Sequence, residues 1–379
     1  MKNETVRTPA EWEPVDAVIV AWPHAETDWN YMLAEVQACY SAIIKALAEV
    51  TEVIVVGPEA PTLADGTRTE RVHYVSLPTN DTWTRDYGPI ATTEAPYADG
   101  AEPCANTSAA VHAGSEDNSD SSASAASDGL RLNDFCFNAW GLKFAANCDN
   151  LVNSRLAAKG LFSVPVNNRL GFVLEGGSIE SDGCGTILTT ASCLLSPNRN
   201  GDLSREQVED HLAAYLGARR VLWLEHGALS GDDTDGHIDT LARLVPPGDT
   251  IMYVGADPSH PDYEELAAMK EELMALRRED GMPYNLVELP LPPAMHDPDD
   301  DSLLPATYAN FLIVNGTVFL PTYGNPLADT TAVMSVKAAI PEYEVVCIDC
   351  RALVRQHGSL HCATMQLPRG SFAAAHEQV

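Results

Sequence analysis

Apolar and polar residues follow one another along this chain with two different periods. Short apolar runs predict buried strands, whereas apolar residues three and four positions apart predict one buried face of a helix. Residues 16–22 and 53–56 are runs of the first kind. Between them, a helix with one apolar face is predicted by Leu33, Val36, Tyr40, Ile43 and Leu47.

Helix boundary signals appear at two places in the second half of the chain. Ser204 with Gln207 forms a capping box, and Gly217 is a plausible end for the helix that follows. A strand is expected next, over residues 221–224. Asp262 with Glu265 opens a further helix, whose core face carries Leu266, Met269, Leu273 and Leu276.

The strongest turn signal is Asn315-Gly316, which lies between apolar runs at 311–314 and 317–320. Asn-Gly suits a type I′ turn, so these runs predict a β-hairpin. A helix after Pro326 and a strand over residues 343–348 complete the series. Hairpins and helices recur together, and we predict an α/β fold with mixed strand pairing.

One segment, residues 93–129, is rich in Ala, Ser, Asp and Gly and poor in apolar residues. Such a composition buries too little surface to offset the entropy lost on ordering, so we expect a disordered insertion. Chemically interesting segments lie on both sides of it, at residues 83–89 and 134–141. We therefore expect one domain over residues 1–379, interrupted by this insertion.

The chain has 379 residues and a formal net charge of −31. This charge argues against nucleic acid or an anionic membrane as a partner, because both require a basic surface. A negative field favours small cations, although it can equally serve solubility. No apolar run is long enough to span a bilayer, and no signal peptide is visible. Nine irregularly spaced cysteines add no disulfide pattern, and we expect a cytoplasmic protein. A homo-oligomer is compatible with all of this.

The central candidate for chemistry is the segment Gly236-His237-Ile238-Asp239-Thr240. In an extended strand, His237 and Asp239 would point to the same face. A nucleophile is available in Cys362, whose neighbour His361 would point to the opposite face of a strand and is the poorer candidate for a base. A thiol, an imidazole and carboxylates together predict covalent chemistry on a cationic substrate. The alternative is that His237 is an ordinary core histidine.

Two further segments offer carboxylates. In residues 80–89, Asp86 could bind a cation while Trp83 or Tyr87 packs against it. The alternative there is a structural loop in which Arg85 pairs with an acid. Glu175 follows an apolar run and precedes two glycines, so it could be a buried acid with a shifted pKa. The alternative for Glu175 is a plain turn with a solvated side chain.

The acidic run at residues 232–239 also raises the question of a metal. An EF-hand register puts Gly231 and Ala242 at positions that require oxygen ligands, so the calcium-loop pattern fails. Zinc is poorly supported, since there is no His-x-x-x-His and no paired Cys-x-x-Cys set. A metal-dependent hydrolase and a non-enzymatic, cation-binding acidic module remain as alternatives from a different class.

Taken together, these segments resemble the agmatine deiminase family of the guanidine-modifying (pentein) superfamily. The resemblance extends over nearly the whole chain outside the insertion. Its motifs are residues 9–14, 21–24, 83–89, 137–141, 174–178, 196–200, 231–240 and 361–362. It implies a five-bladed α/β propeller with pseudo-fivefold symmetry and one active site in the central cavity.

The resemblance also implies roles for individual residues. By position, Cys362 matches the nucleophile, His237 the acid/base and Glu175 a second catalytic carboxylate. Asp86 and Asp239 match the pair that grips the guanidinium, and we place Trp83 beside the substrate.

The implied reaction is hydrolysis of agmatine to N-carbamoylputrescine and ammonia, a step toward putrescine in polyamine biosynthesis. It proceeds through a covalent thiouronium-type intermediate on cysteine, without a metal or an organic cofactor. The sequence departs from the family at residues 357–360, where a glycine-rich run is usual. The alternative substrate is therefore another guanidine, such as peptidyl-arginine or an alkylguanidine. A substrate carboxylate would need a cation, for which Arg85, Arg199 and Arg243 are candidates.

Overall fold

A computed structural model describes residues 6–94 and 129–373 of the chain. Most of the predicted insertion, residues 95–128, therefore lies outside the described residues, whereas Thr93 and Glu94 end a strand. The strands are β1 (Val6–Arg7), β2 (Val15–Ala21), β3 (Glu52–Gly57), β4 (Val72–Ser76), β5 (Ile90–Glu94), β6 (Arg131–Cys136), β7 (Val166–Val173), β8 (Glu180–Ser181), β9 (Thr186–Thr190), β10 (Arg220–Leu224), β11 (Ala242–Val245), β12 (Thr250–Gly255), β13 (Asn285–Pro290), β14 (Met295–His296), β15 (Leu303–Leu304), β16 (Leu312–Val314), β17 (Thr317–Thr322), β18 (Glu344–Asp349) and β19 (Met365–Pro368).

The α-helices are α1 (Leu33–Ala48), α2 (Thr84–Tyr87), α3 (Ala139–Leu142), α4 (Val152–Ala158), α5 (Ala191–Leu194), α6 (Pro197–Asn200), α7 (Arg205–Leu216), α8 (Tyr263–Ala275) and α9 (Pro326–Ala339). Short 3-10 helices lie at Asp28–Met32, Thr69–Arg71, Asp149–Leu151, Gly176–Ser178, Ile238–Thr240 and Leu353–Gln356. Within residues 6–94 and 129–373, no helix combines the length and the apolar character that a membrane span requires.

The strands form five sheets of three or four strands, together with the two-stranded ribbon β14-β15. The sheet orders are β1-β5-β6-β7, β10-β9-β8, β11-β12-β13, β16-β17-β18 and β19-β2-β3-β4. The fold is therefore α/β with mixed pairing, as the hydrophobic pattern predicts.

One three-strand unit recurs in all five sheets. A first strand pairs antiparallel with a central strand, which then pairs parallel with a third. A parallel pair needs a long crossover, because the chain must return to the starting end of the sheet. Helices supply these crossovers: α1, α4, α7, α8 and α9 each lie between the central and third strands of one unit.

The local signals in the sequence are largely confirmed. Asn315 and Gly316 have φ of 46° and 83°, as a type I′ turn requires, and they join antiparallel β16 and β17. Ser204 and Gln207 form both hydrogen bonds of the capping box, and Gly217 ends α7 in the left-handed region. Asp262 precedes α8 but makes no capping bond with its side chain. It accepts hydrogen bonds from Ser230 instead.

The core is a single contiguous cluster of buried apolar side chains to which all five sheets contribute. Its largest fully buried members include Trp22, Trp29, Tyr308 and Phe311. Polar side chains are also buried in the segments just before the first strand of each unit, and these segments contain the candidate site.

Candidate active site

The candidate site is assembled from five short segments, each of which directly precedes the first strand of one unit. They are α2 before β5, the 3-10 helix Gly176–Ser178 before β8, the 3-10 helix Ile238–Thr240 before β11, residues 307–311 before β16, and residues 359–364 before β19. The equivalent position in every unit therefore supplies the site.

Hydrogen bonds join each segment to the next and close a ring. They run from Gly177 N–H to Asp86 Oδ1 (3.1 Å), between His237 Nε2 and Glu175 Oε2 (3.0 Å), from Asn310 Nδ2 to the Asp239 carbonyl (3.4 Å), from His361 N–H to the Asn310 carbonyl (3.1 Å), and from Arg85 N–H to the Cys362 carbonyl (3.1 Å). These bonds hold residues that are far apart in sequence at one centre.

His237 lies at the middle of this arrangement and is fully buried. Besides the bond to Glu175, its Nδ1 lies 3.6 Å from Asp86 Oδ1. Burial lowers the pKa of an imidazole, but the Asp86 carboxylate, together with Cys193 and Glu175, outweighs this effect and raises the pKa of His237 well above its usual value. His237 is therefore an imidazolium at neutral pH and can donate a proton.

Glu175 is fully buried and is held from its other side by Arg199, whose Nε lies 2.7 Å from Glu175 Oε2. Burial raises the pKa of this carboxyl, yet His237 and Arg199 more than compensate and lower it. Glu175 is consequently ionised. The sequence alternative of a solvated glutamate in a plain turn is wrong.

Asp86 accepts a hydrogen bond from Trp140 Nε1 at 2.9 Å, in addition to the one from Gly177. Burial raises the pKa of Asp86 to about 6, and the nearby Asp239 and Glu175 carboxylates add to this. The Trp140 side chain is delivered by a left-handed turn in which residues 139–142 have φ of 53°, 55°, 87° and 69°. Left-handed geometry costs about 1–2 kcal/mol for each non-glycine residue, and such strain is typical of functional sites.

Cys362 is buried, and its Sγ lies 3.2 Å from Asn310 Nδ2 and 3.8 Å from Asp239 Oδ2. Burial raises the pKa of this thiol well above its usual value, and Asp239 and Asp86 raise it further. A thiol among carboxylates needs a cation beside it before it becomes a nucleophile. A positively charged substrate would provide that cation.

Three buried polar atoms at this centre have no hydrogen-bond partner among the described residues: Glu175 Oε1, His237 Nδ1 and Asp239 Oδ1. Burying such atoms without partners costs about 1–3 kcal/mol each. A Cβ at Gly177 would lie 2.6 Å from His237 Nδ1, 2.9 Å from Asp86 Oδ1 and 3.0 Å from Asp239 Oδ2. Only glycine at 177 therefore lets the backbone lie this close to the three side chains. Of the three unpartnered atoms, the two carboxylate oxygens can accept N–H bonds from a ligand, whereas the protonated His237 Nδ1 can only donate.

A cavity leads to Cys362. It is lined by Asp28, Asp81, Trp83, Asp86, Trp140, Phe144, Asp233, Thr234, Gln356, His357, Gly358 and Cys362. Four carboxylates and two indoles lie in this lining, and no lysine or arginine does. Gly358 packs so closely on Trp83 that a Cβ would lie 2.5 Å from the indole ring.

The structure brings together all six residues singled out in the sequence, namely Cys362, His237, Glu175, Asp86, Asp239 and Trp83. The local conformation expected around His237 is wrong. His237 precedes a 3-10 helix and is not in a strand, so its proximity to Asp239 has a different cause from strand alternation. The strand expected at His361 and Cys362 is also wrong, since residues 360–363 form a turn. The ring of His361 contacts Asp239 of the site and Glu11 behind it.

Sequence reasoning missed Asn310, Gly177 and Trp140 as parts of the site. Asn310 has a weak signal, as the one polar residue in the run Tyr308-Ala309-Asn310-Phe311-Leu312. Trp140 and Gly177 lie in quoted motifs, but their contacts depend on the tertiary fold.

The three arginines considered for a substrate carboxylate are already engaged. Arg199 binds Glu175 and Asp235, and Arg243 binds Glu11 and Glu180. Arg85 Nη2 lies 3.8 Å from Glu11. None of them lines the cavity at Cys362.

Two groups of side chains within the described residues place possible metal-binding atoms within 4.8 Å of one another: Glu175, Cys193 and His237, and Glu11, Glu180 and His361. Each group already contacts a guanidinium, from Arg199 and Arg243 respectively. A second cation would be repelled there, so neither donor set suits a metal.

The carboxylates of residues 232–239 do not meet at a common metal site either. Asp232 accepts bonds from its own loop, Asp235 binds Lys143 and Arg199, and Asp239 binds His361. This dispersal disfavours both the calcium and the metal-hydrolase interpretations.

Comparisons with known proteins agree along nearly the full chain. The Porphyromonas-type peptidyl-arginine deiminase family matches residues 7–368. Agmatine deiminase of Stutzerimonas stutzeri (strain A1501) is 32% identical over an alignment of 381 positions, gaps included, which covers 95% of each protein. Agmatine deiminase of Medicago truncatula is 31% identical, covering 95% of this chain and 96% of that protein.

Solved structures are similar as well. A Porphyromonas gingivalis protein with a provisional assignment as an arginine deiminase is 47% identical with a TM-score of 0.82, covering 97% of this chain and all of that one. A Cys-to-Ser variant of C. jejuni agmatine deiminase with substrate bound is 32% identical with a TM-score of 0.79. The match covers 95% of this chain and 96% of that one.

Proposed function

We propose that this chain, which belongs to the Porphyromonas-type peptidyl-arginine deiminase family, hydrolyses agmatine to N-carbamoylputrescine and ammonia. The observation that carries the proposal is the pair of unpartnered buried carboxylate oxygens, Glu175 Oε1 and Asp239 Oδ1, in a site where Asp239 also contacts Cys362. Full-length relatives that are agmatine deiminases support it.

Binding begins with the guanidinium. This group is planar and cationic, and its N–H bonds match carboxylates held in fixed positions. Asp86 and Asp239 grip it. Its positive charge lies beside Cys362 and offsets the two carboxylates that hold the thiol neutral, so the thiol gives its proton to solvent and the thiolate forms when the substrate is bound. The sulfur takes a proton back from solvent once the product has left.

In the first half of the reaction, the Cys362 thiolate attacks the guanidinium carbon and forms a neutral tetrahedral adduct. The His237 imidazolium then gives its proton to one nitrogen, the C–N bond breaks, and ammonia leaves. A cationic thiouronium remains on the sulfur. Glu175 keeps His237 protonated and oriented for this step.

In the second half, neutral His237 takes a proton from water, and the hydroxide adds to the thiouronium carbon. The C–S bond then breaks, the ureido product leaves, and the proton that is released converts ammonia to ammonium. Overall, the guanidinium and one water are converted to the ureido product and ammonium. All the catalytic groups in these steps are side chains of this protein. No metal or organic cofactor takes part in this proposal.

The cavity lining favours agmatine over free arginine. Agmatine ends in an ammonium, for which Asp28, Asp81 and Asp233 are available, whereas arginine adds a carboxylate that would meet no cation in the lining. The indole of Trp83 packs along the alkyl chain. An arginyl peptide or another alkylguanidine, which also lacks that carboxylate, is the alternative substrate.

We extend the proposal to the architecture and the setting of the enzyme. The five recurrent units are the five blades of a pentein propeller, with the active site in its central cavity. The contiguous core supports a single catalytic domain over residues 1–379. A cytoplasmic location, the absence of a nucleic-acid partner and a role in polyamine synthesis remain predictions, as does a homo-oligomeric state.

A substrate panel tests the proposal. Purified protein is incubated with agmatine, free arginine, an arginyl peptide and butylguanidine, and the ureido product is measured. Agmatine is expected to have the highest kcat/KM. Clear turnover of another guanidine without turnover of agmatine would overturn the substrate assignment.

The nucleophile is tested in parallel with Cys362→Ala, which should lower kcat by at least ~10⁴-fold, as removal of a catalytic nucleophile typically does. Cys347→Ala is the matched control, because Cys347 is an exposed free cysteine away from the cavity. Retained activity in Cys362→Ala would overturn the mechanism.

A further inference from the structure

Behind Asp239 lies a compact group of buried charges, which we call the Arg243 cluster. It consists of three carboxylates and three nitrogen bases: Glu11, Glu180, Asp239, Arg85, Arg243 and His361. Each of these side chains is at most 9% exposed. If His361 is protonated, the cluster is electrically balanced, which is the condition under which buried charges are tolerated.

His361 occupies a special place in this cluster, because both of its ring nitrogens face a carboxylate. Nδ1 lies 2.7 Å from Asp239 Oδ2, and Nε2 lies 2.6 Å from Glu11 Oε2. An ionised carboxylate only accepts hydrogen bonds. Two such contacts therefore require a proton on each nitrogen, which makes the ring an imidazolium.

One contact favours a neutral ring instead. Arg243 Nη2 lies 3.1 Å from His361 Nε2 and could donate to it if that nitrogen carried no proton. The Glu11 contact is shorter by 0.5 Å, the difference between 3.1 and 2.6 Å. Arg243 Nη2 also has its own acceptor in Glu11 Oε2 at 2.9 Å. The geometry thus places the proton between His361 and Glu11.

Both carboxylates are ionised in this setting. Burial raises the pKa of Glu11, but Arg243 and His361 outweigh it and hold the pKa far below its usual range. For Asp239, burial is likewise overcome, chiefly by the hydrogen bond and the charge of His361. A neutral carboxyl group at either position is therefore disfavoured.

The bond to His361 has a consequence for the substrate site. It occupies Asp239 Oδ2, the oxygen that also lies 3.8 Å from Cys362 Sγ, whereas Oδ1 stays buried and unpartnered. A carboxylate tied through one oxygen cannot rotate freely, so the other oxygen keeps its direction. Asp239 is then already oriented to accept a hydrogen bond from a guanidinium.

We propose that His361, held as an imidazolium by Glu11, is a positioning residue that fixes the Asp239 carboxylate for a guanidinium substrate. The kinetic part rests on the proposed function, whereas the protonation of His361 does not. Charged groups face its ring from several elements: Glu11 from residues 8–14, Glu180 from β8, Asp239 from the 3-10 helix before β11, and Arg243 from β11. Arg85 from α2 reaches the His361 carbonyl instead.

The first test is spectroscopic and needs no substrate. Nitrogen-15 spectra of the histidine-labelled protein are recorded at pH 7, and His361→Asn identifies the signal by its disappearance. Both ring nitrogens of His361 should carry protons, because each faces a carboxylate. A single protonated nitrogen at neutral pH would show that Arg243 donates to a neutral ring and would overturn the proposal.

The second test is kinetic. His361→Leu removes the donor to Asp239 and should raise KM for agmatine ~10- to 100-fold, as expected for the loss of a charge-assisted hydrogen bond. His361→Asn keeps an amide donor near the position of Nδ1 and should recover part of the affinity. His226→Leu is the matched control, because His226 pairs with Glu272 at the surface.

Glu11→Gln keeps the shape of the side chain and should raise KM in the same direction. Because Glu11 acts through His361, the double variant Glu11→Gln/His361→Asn should be no worse than the poorer single variant. Unaltered KM values in properly folded variants, checked by urea unfolding, would overturn the proposal. If the wild-type protein were inactive on every guanidine, the proposed function would be wrong, but the spectroscopic test of His361 protonation would remain valid.

Discussion

Two buried polar regions meet at Asp239, and they differ in how completely their polar atoms are paired. In the substrate site, Glu175, His237 and Asp239 each keep one atom without a partner. In the Arg243 cluster, Arg243 donates to Glu11, Glu180 and two backbone carbonyls, and packs on the Phe311 ring. Arg85 Nη2, which lies 3.8 Å from Glu11 and makes no hydrogen bond with any described residue, is the exception in the cluster. At Arg243 and at the three substrate-site residues, two regions of similar burial thus differ in how fully their polar atoms are paired.

This difference separates binding from stability. Unpaired buried atoms destabilise the fold, so a site retains them where a ligand can complete the bonds. The paired cluster gains little from any ligand, yet removing one member leaves the others buried without compensation. We therefore expect a change at Arg243, the most fully paired member of the cluster, to affect unfolding most, and changes in the site and in its support His361 to affect kinetics most.

The largest effect is expected for Arg243→Met. Glu11 and Glu180 would keep their burial and lose their main counter-charge, which should lower the free energy of unfolding by about 3–5 kcal/mol. Urea unfolding measures this. Arg351→Met is the control, since the Arg351–Asp349 pair is exposed and such pairs contribute about 0–1 kcal/mol. Equal losses in the two variants would contradict the view of a paired, stabilising cluster.

The next largest effect is expected in the substrate site, at Gly177. In Gly177→Ala, the added Cβ would occupy the space between His237, Asp86 and Asp239. We expect kcat/KM for agmatine to fall by ~100-fold or more, a cost of about 2.7 kcal/mol, while the free energy of unfolding falls by only about 1–3 kcal/mol from overpacking.

Gly171→Ala is the matched control, because a Cβ at Gly171 would meet no heavy atom within 4 Å. If Gly177→Ala kept full activity, the positions of His237, Asp86 and Asp239 beside Gly177 would not matter for turnover.

The hydrophobic pattern was sufficient for most elements and for the class of fold. Turn chemistry located the hairpin at Asn315-Gly316, and capping chemistry located both ends of α7. These features are local, so neighbouring residues determine them. The 3-10 helix after His237 has no such signal, because a polar loop between apolar runs is compatible with several conformations.

The candidate site was found in the sequence as isolated residues, not as an arrangement. Cys362 and His237 attracted attention by their chemistry and their motifs. Asn310 and Glu11 did not, because their importance comes from contacts across 52 and 350 positions of the chain. Pairing over such separations depends on how the five units meet, and single-sequence patterns do not report it.

A smaller effect is expected at the mouth of the cavity. Asp81→Asn or Asp233→Asn removes a carboxylate available to the substrate ammonium and should raise KM for agmatine by ~10- to 30-fold. Butylguanidine lacks the ammonium, so its KM should change little. Asp210→Asn, an exposed change on α7, is the control. Equal changes for the two substrates would mean that these carboxylates do not bind the tail.

The smallest effect is a pH dependence that should separate the two regions without a mutation. Burial raises the pKa of Asp86 to about 6, so the carboxylate is ionised above that pH and neutral below it. A neutral Asp86 grips a guanidinium poorly. In the free enzyme, kcat/KM should therefore fall about tenfold per pH unit below pH 6. Butylguanidine is the substrate to use, because Asp81, with its pKa raised to about 7 by burial, would otherwise contribute.

Unfolding in acid would also reduce activity. The protonation of Asp86, however, should stabilise the folded state as the pH falls. Its pKa is higher in the folded than in the unfolded chain, so the folded state binds the extra proton between about pH 6 and pH 4. Its ionisation therefore costs stability at neutral pH, and that cost declines as the pH falls from about 6 to about 4. Asp86→Asn should consequently be more stable than the wild type at pH 7 by a margin that shrinks toward pH 5. A margin that grew on acidification would contradict a raised pKa and assign the acid limb of the activity profile to another group.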